Sequence, residues 1–230
     1  MPVEHRTRDD RGVLAQITDA LYWFVIIDLA LVVCSAPTIA VWMLLARDAS
    51  NLPLYAASLA LALPALSAAL WAWRARAEDP DPVPLRRFLR GYRLNLVDSL
   101  KIGVPGLVVL TVLATNITYG DVTGTSALSV AFLLLSVMVA LLMTRALSIT
   151  STLSFRFIDV LRLSIFTLLT MPLRSLALLS LAVLTVGISL FVGDYAFLFL
   201  ASVLTFVLQH SERPVITRLR EQFTAEEGPA

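Results

Sequence analysis

Long apolar runs alternate with shorter polar connections along the chain, and their lengths predict helices that cross a membrane. An α-helix rises about 1.5 Å per residue, so roughly 20 apolar residues cross the hydrocarbon core of a bilayer. Six runs approach or exceed this length, at residues 21–46, 53–73, 102–119, 127–144, 175–192 and 195–209. The pattern predicts an all-α, six-span transmembrane bundle, preceded by a polar segment at 1–20 and followed by a polar tail at 210–230.

Two polar connections contain amphipathic stretches, which predict helices lying in the membrane interface. In Pro84–Lys101, apolar residues recur every three or four positions, as on one face of a helix, at Leu85, Phe88, Leu89, Tyr92, Leu96, Val97 and Leu100. A weaker stripe follows span 4, at Phe155, Ile158, Leu161, Ile165 and Leu168. Such helices can place their apolar stripe in the acyl boundary and their arginines at the headgroups.

Composition supports an integral membrane protein and removes several kinds of site. The chain is 58% hydrophobic and 15% charged, with a mean hydropathy of +0.81, whereas soluble domains carry about 25% charged residues. Cys34 is the single cysteine, which excludes an intrachain disulfide and a cysteine-based zinc site. His5 and His210 both lie in polar ends. We therefore predict no catalytic residues, metal or cofactor, and no nucleic-acid partner.

The distribution of positive charge predicts the orientation. All but one of the 18 Lys and Arg residues fall in the N-terminal segment, the two long connections and the tail, and the exception is Arg47 in a short turn. Cytoplasmic loops carry the excess of Lys and Arg in membrane proteins. Both termini and both amphipathic stretches are therefore predicted to be cytoplasmic.

Asp28 is the one acidic residue within the first predicted span. A charged side chain at that depth costs on the order of 2–3 kcal/mol on insertion scales, so it should face protein or water and have a partner. Arg145 and Arg174, at the cytoplasmic ends of spans 4 and 5, are the candidate partners. The polar site formed by these three residues has two interpretations, a proton or cation site, or a structural ion pair or hydrogen bond.

The basic residues of Pro84–Lys101 are candidate contacts to something outside the chain. Arg87, Arg90, Arg93 and Lys101 could hold the helix on anionic lipid, dock a cytoplasmic partner such as a nucleotide-binding subunit, or bind phosphate. The sequence leaves all three interpretations open.

Several segments resemble the YesL-like family of bacterial membrane proteins, a domain of unknown function. The resemblance rests on VIIDLALVVCSAPTIA, PALSAALWA, RRFLRGYRLNLVDSLK and a second basic segment ending in MPLRSL. Family members often carry asparagine where this chain has Asp28. The resemblance implies a six-helix protein of the bacterial cytoplasmic membrane, encoded near carbohydrate ABC importers, with no established activity.

Three functional hypotheses follow. The first is an accessory or regulatory subunit that associates with a carbohydrate ABC importer and with membrane lipid. The second is a small stand-alone transporter or channel that uses Asp28. The third is a structural scaffold that forms a homodimer through small residues of span 2, namely Ala65, Ser67, Ala68 and Ala69, which permit close helix contacts.

Overall fold

The chain is helical throughout, apart from short connections, within the residues that the structure describes. The computed structural model describes residues 12–78, 83–120, 126–153, 155–193 and 196–225. Its helices are α1 (Val13–Leu44), α2 (Leu52–Glu78), α3 (Pro84–Gly120), α4 (Ser126–Thr150), α5 (Phe157–Thr170), α6 (Pro172–Phe191) and α7 (Phe197–Ala225). A short 3-10 helix, Ala49–Asn51, joins α1 to α2, and no strand occurs in these ranges. The predicted all-α class is confirmed.

Five helical segments are long and apolar enough to cross a membrane, which makes this a multi-pass membrane protein. They are Val13–Leu44, Ala49–Glu78, Pro84–Gly120, Ala127–Thr150 and Pro172–Phe191. The predicted helical membrane bundle is confirmed at this level, because each of the first five predicted spans lies mainly or wholly within one of these segments.

The sixth predicted span, 195–209, corresponds to the beginning of α7, although residue 195 lies outside the described residues. Its helical part, 197–209, is only about 20 Å long at 1.5 Å per residue. Helix α7 does not stop there but continues through Pro214 to Ala225. The described part of the tail is therefore an extension of the same helix, and α7 is not among the five segments above.

Helix α2 lies at the centre of the bundle and contacts α1, α3 and α7. From Leu63 to Trp73 nearly every residue is buried. Small side chains allow this close packing, and Ala65, Ser67, Ala68 and Ala69 are all 0% exposed. These four residues are buried in contacts within the chain, so they are not available for the dimer contact that the sequence suggested.

Helix α3 differs from the prediction, because the first amphipathic stretch and the third predicted span form one continuous helix of 37 residues. At 1.5 Å per residue this helix is about 55 Å long. Pro105 lies inside it without ending it. Both halves of α3 contact α2, through Gly91 in the first half and Gly103 in the second, and this is the most extensive helix contact of the bundle.

The face of α3 that packs on α2 follows the predicted stripe of large apolar residues only in part, since Phe88 is buried whereas Leu85 and Leu89 are 47% and 44% exposed. Its buried line continues through small and polar positions four residues apart, at Gly91, Asn95, Ser99 and Gly103. A Cβ added at Gly91 would lie 3.1 Å from Trp71 Cβ and 3.2 Å from the Ala68 carbonyl oxygen. One added at Gly103 would meet the Leu63 side chain. Small residues let the two helix backbones approach closely.

These contacts fix the register of α3 against α2, and the two predicted spans prove to be offset. Gly103, at the start of predicted span 3, lies beside Leu63 in the middle of predicted span 2. The second half of predicted span 2, from Leu63 to Trp73, therefore packs beside the amphipathic half of α3. This offset of ten residues corresponds to about 15 Å. The apolar character of that part of α2 serves burial inside protein.

Helix α5 contains the second amphipathic stretch and, unlike the first, is a separate helix of 14 residues. Here too the buried face differs in part from the predicted stripe. Its buried residues are Val160, Ser164 and Thr167, whereas Ile158 and Ile165 of the predicted stripe are 58% and 45% exposed. In both amphipathic stretches several large apolar residues are exposed, whereas Phe88 in α3 and Val160 in α5 are buried together with small and polar residues.

Candidate functional site

A fully buried ion pair joins the end of α4 to the middle of α7. Arg145 Nη2 donates to Glu212 Oε1 at 3.1 Å, and Arg145 Nε lies 3.0 Å from Glu212 Oε2. Both side chains are 0% exposed. The pair connects residues 67 positions apart in the chain, and it corrects the prediction that Arg145 is a partner of Asp28.

The surroundings of this pair are polar and incompletely hydrogen-bonded. Arg145 Nη1 and the side-chain oxygen of Gln209, which lies one turn before Glu212, have no hydrogen-bond partner among the described residues. Burial raises the pKa of the Glu212 carboxyl, whereas the positive charges of Arg145 and Arg174 act in the opposite direction. Arg174 itself is exposed at the start of α6. The structure therefore pairs Arg145 with Glu212, an acid that the sequence reasoning missed, and Arg174 contributes only a weaker electrostatic effect on that carboxyl.

Asp28 has a different partner from either predicted arginine. The backbone N–H of Ser202 in α7 donates to Asp28 Oδ1 at 2.8 Å. Ser202 is buried, and its carbonyl oxygen accepts a hydrogen bond from the Thr205 hydroxyl. The carboxylate thus links α1 to α7, a contact of the kind that the structural interpretation of Asp28 predicts.

An aromatic cluster surrounds the C-terminal end of α2, about one turn of α1 before Asp28. Trp23 and Trp73 are each 1% exposed, with ring centroids 6.0 Å apart. Trp73 Nε1 donates to the Thr205 hydroxyl oxygen at 3.2 Å. The guanidinium of Arg76 lies 4.9 Å from the Trp23 ring and forms a 2.9 Å ion pair with Asp19. This cluster holds α1, α2 and α7 together by aromatic, cation–π and polar contacts.

The four basic residues singled out in Pro84–Lys101 separate into two groups. Arg87 Nη1 donates to the Ala75 carbonyl oxygen at 2.7 Å, so Arg87 ties α3 to α2, and its prediction as a headgroup contact needs correction. The other three side chains are exposed. Arg90 lies 5.9 Å from the Trp71 ring, and Lys101 forms a 2.9 Å surface ion pair with Asp98.

An open pocket of about 350 Å³ lies at the other end of α1 and α2, and the sequence reasoning did not single it out. It is lined by Trp42, Arg47, Asp48, Ala49, Leu52, Tyr55 and Thr118. Its aromatic walls are fixed in place, because Trp42 Nε1 donates to the Ser58 hydroxyl oxygen at 2.9 Å and the Tyr55 hydroxyl donates to the Leu45 carbonyl oxygen at 3.1 Å. Hydrogen bonds from Ser50 lower the pKa of Asp48 at the rim.

The described side chains offer no metal centre. Within 12–78, 83–120, 126–153, 155–193 and 196–225, no group of three or more His, Cys, Asp or Glu residues could hold a metal ion. The chemistry that the described residues do offer is electrostatic: a buried arginine–glutamate pair, a fixed aspartate and an exposed line of arginines.

Fold and polar groups together define the class, a multi-pass helical membrane protein with a polar, arginine-rich layer at one end of its central helix. The sequence matches no protein-family model, and no curated protein or solved structure matches it. The resemblance to the YesL-like family therefore stays a prediction that rests on the segments quoted above.

Proposed function

We propose that this protein is an accessory membrane subunit that works with a carbohydrate ABC importer in the bacterial cytoplasmic membrane, with both termini in the cytoplasm. The family resemblance suggests the importer as the partner, and the distribution of Lys and Arg suggests the orientation. It assigns the protein no catalytic role of its own.

The observation that carries the proposal is the exposure of α4. In the most apolar 18-residue window of α4, none of the residues is buried inside this chain, and in α6 only 6% of the window is buried. For comparison, 44% of the window of α2 is buried. Helix α4 packs along α3, yet its apolar window and that of α6 leave exposed faces that the membrane helices of another subunit could contact.

The stand-alone transporter is the weaker candidate. It needs Asp28 to exchange ions or protons with water, whereas the Asp28 carboxylate accepts a hydrogen bond from the Ser202 amide. It also needs a polar path beside α2, where Ala65, Ala68 and Ala69 are fully buried.

Site-specific photocrosslinking in native membranes tests the proposal. A photoreactive amino acid would replace Leu134 on α4 or Leu184 on α6, which are 66% and 55% exposed, and Val33 on α1, which is 62% exposed, serves as the matched control. We expect permease subunits of a sugar importer to crosslink from α4 or α6 but not from α1. A protein that never crosslinks or co-purifies with importer subunits, and whose deletion leaves sugar uptake unchanged, refutes the proposal.

A further inference from the structure

One exposed line of α3 changes from arginine to valine along the helix. Arg86 and Arg90 are exposed in its first half, and Val104 and Val108 are 42% and 58% exposed in its second half. Val104 follows Arg86 by 18 residues, and Val108 follows Arg90 by the same number. Because 18 residues make five full turns of an α-helix, each valine lies directly above its arginine, about 27 Å along the axis. Arg93 lies on the same line, seven residues after Arg86.

The side of α3 that faces α2 is already occupied. Phe88, Gly91 and Ser99 are buried in the contact with α2 and its neighbours, and Arg87 is engaged by the Ala75 carbonyl oxygen. The side chains of Arg86, Arg90 and Arg93 are exposed, and the guanidinium of Arg90 also lies 5.9 Å from the Trp71 ring. Arg86 and Arg93 form no ion pair with any residue in the described ranges.

We propose that this line is a binding site for anionic phospholipid, with the guanidinium groups of Arg86, Arg90 and Arg93 on the phosphate groups and the valines against the acyl chains. Guanidinium groups bind phosphate in a bidentate manner, and basic residues near an anionic leaflet each strengthen the attraction. The edge of the hydrocarbon core on α3 then falls between Arg93 and Val104. Lys101 lies in this interval, where a lysine can extend its ammonium group back to the interface.

The continuity of the line favours lipid over a soluble acidic protein. A soluble protein would contact only the arginine half, whereas a phospholipid presents an anionic headgroup and an apolar chain in the order in which α3 presents arginine and valine. Leu89 and Leu94, at the level of the arginines, are 44% and 58% exposed. Apolar residues interspersed with arginine are typical of helices that lie in the interface. The inference does not depend on the importer.

Native mass spectrometry of the purified protein, titrated with phosphatidylglycerol or phosphatidylcholine, tests this site. We expect the wild type to bind phosphatidylglycerol more tightly. The triple variant R86Q/R90Q/R93Q should lose roughly 100-fold in phosphatidylglycerol affinity and keep its phosphatidylcholine affinity. The control R47Q/R218Q/R220Q removes the same charge from three exposed arginines outside both amphipathic stretches and should bind phosphatidylglycerol as the wild type does.

Two further variants keep the test decisive. R86K/R90K/R93K retains the charge and should retain most of the preference for phosphatidylglycerol over phosphatidylcholine. If R86Q/R90Q/R93Q fails to fold, as judged by circular dichroism, the single variant R93Q replaces it in the titration. Equal losses in the triple variant and its control would attribute binding to total charge and overturn the site. The site is also overturned if the wild type shows no preference for phosphatidylglycerol, or if R86Q/R90Q/R93Q loses a co-purifying protein while its phosphatidylglycerol affinity is unchanged.

Discussion

Replacing Arg145 with methionine leaves the Glu212 carboxylate buried without its counter-ion. Both side chains are 0% exposed and meet through two short contacts, of 3.1 Å and 3.0 Å. Removing one partner of a buried ion pair costs about 3–5 kcal/mol, because the remaining charge must be desolvated alone or neutralised. We expect R145M to be destabilised by this amount. In a chain of 230 residues this corresponds to a fall of roughly 10 °C in the unfolding midpoint.

The double variant R145M/E212L separates loss of the pair from loss of packing. Replacing both charges with apolar residues of similar size is often neutral or stabilising. We therefore expect the double variant to be more stable than R145M, with a coupling free energy of at least about 2 kcal/mol. Thermal unfolding in detergent and equilibrium unfolding in SDS mixed micelles, both followed by tryptophan fluorescence, would measure these differences.

The Asp98–Lys101 pair supplies the control, since its side chains are 48% and 60% exposed. Exposed pairs contribute at most about 1 kcal/mol, so K101M should unfold close to the wild type. The reasoning is refuted if R145M is no less stable than K101M, or if the double variant is destabilised by the sum of the two single variants.

Three further predictions concern the helix contacts. G91V should destabilise the protein by about 1–3 kcal/mol, because the added carbons meet Trp71 and Ala68. G187V is the control and should change stability far less, since nothing lies within 4 Å of a Cβ added there. Equal effects of the two variants in SDS unfolding would contradict the α2–α3 register. D28N keeps an oxygen that can accept from the Ser202 N–H and should fold like the wild type, whereas D28L should lose about 1.5–3 kcal/mol; identical unfolding midpoints for D28N and D28L would exclude this contact. W73F removes the indole donor to Thr205 and should lower the free energy of unfolding by about 1 kcal/mol. In a T205V background this hydrogen bond is already absent, so W73F should have almost no further effect through it; equal effects of W73F in both backgrounds would show that the two residues are not coupled.

Hydrophobic runs predicted the helices better than they predicted how the helices meet. The runs report length and apolar character, and five segments satisfy both. They carry no information on register, so the offset of Gly103 beside Leu63 was invisible in either run alone. A usable signal was present in α3, since Gly91, Asn95, Ser99 and Gly103 recur every four residues, a spacing of small residues that is typical of close helix contacts in membranes.

The polar partners were harder to predict for a different reason. Asp28 and Ser202 are 174 residues apart, and the donor is a backbone N–H, which every residue other than proline carries. Glu212 lies beyond the last apolar run, in a segment whose charge indicated a solvated tail. It is buried because α7 continues as one helix past Gln209 and packs against the end of α4.

Helix α7 also gives the order of synthesis a structural meaning. Ser202, Thr205 and Glu212 are the described partners of Asp28, the Trp73 indole and Arg145, three groups on helices made earlier. During translation α1, α2 and α4 are synthesised before α7, so these three groups lack their α7 partners until α7 has been made. A nascent chain that has not yet received its last helix therefore displays two unpaired charges and an unpaired indole. Pairing of these three groups therefore reports that α7 has docked on α1, α2 and α4.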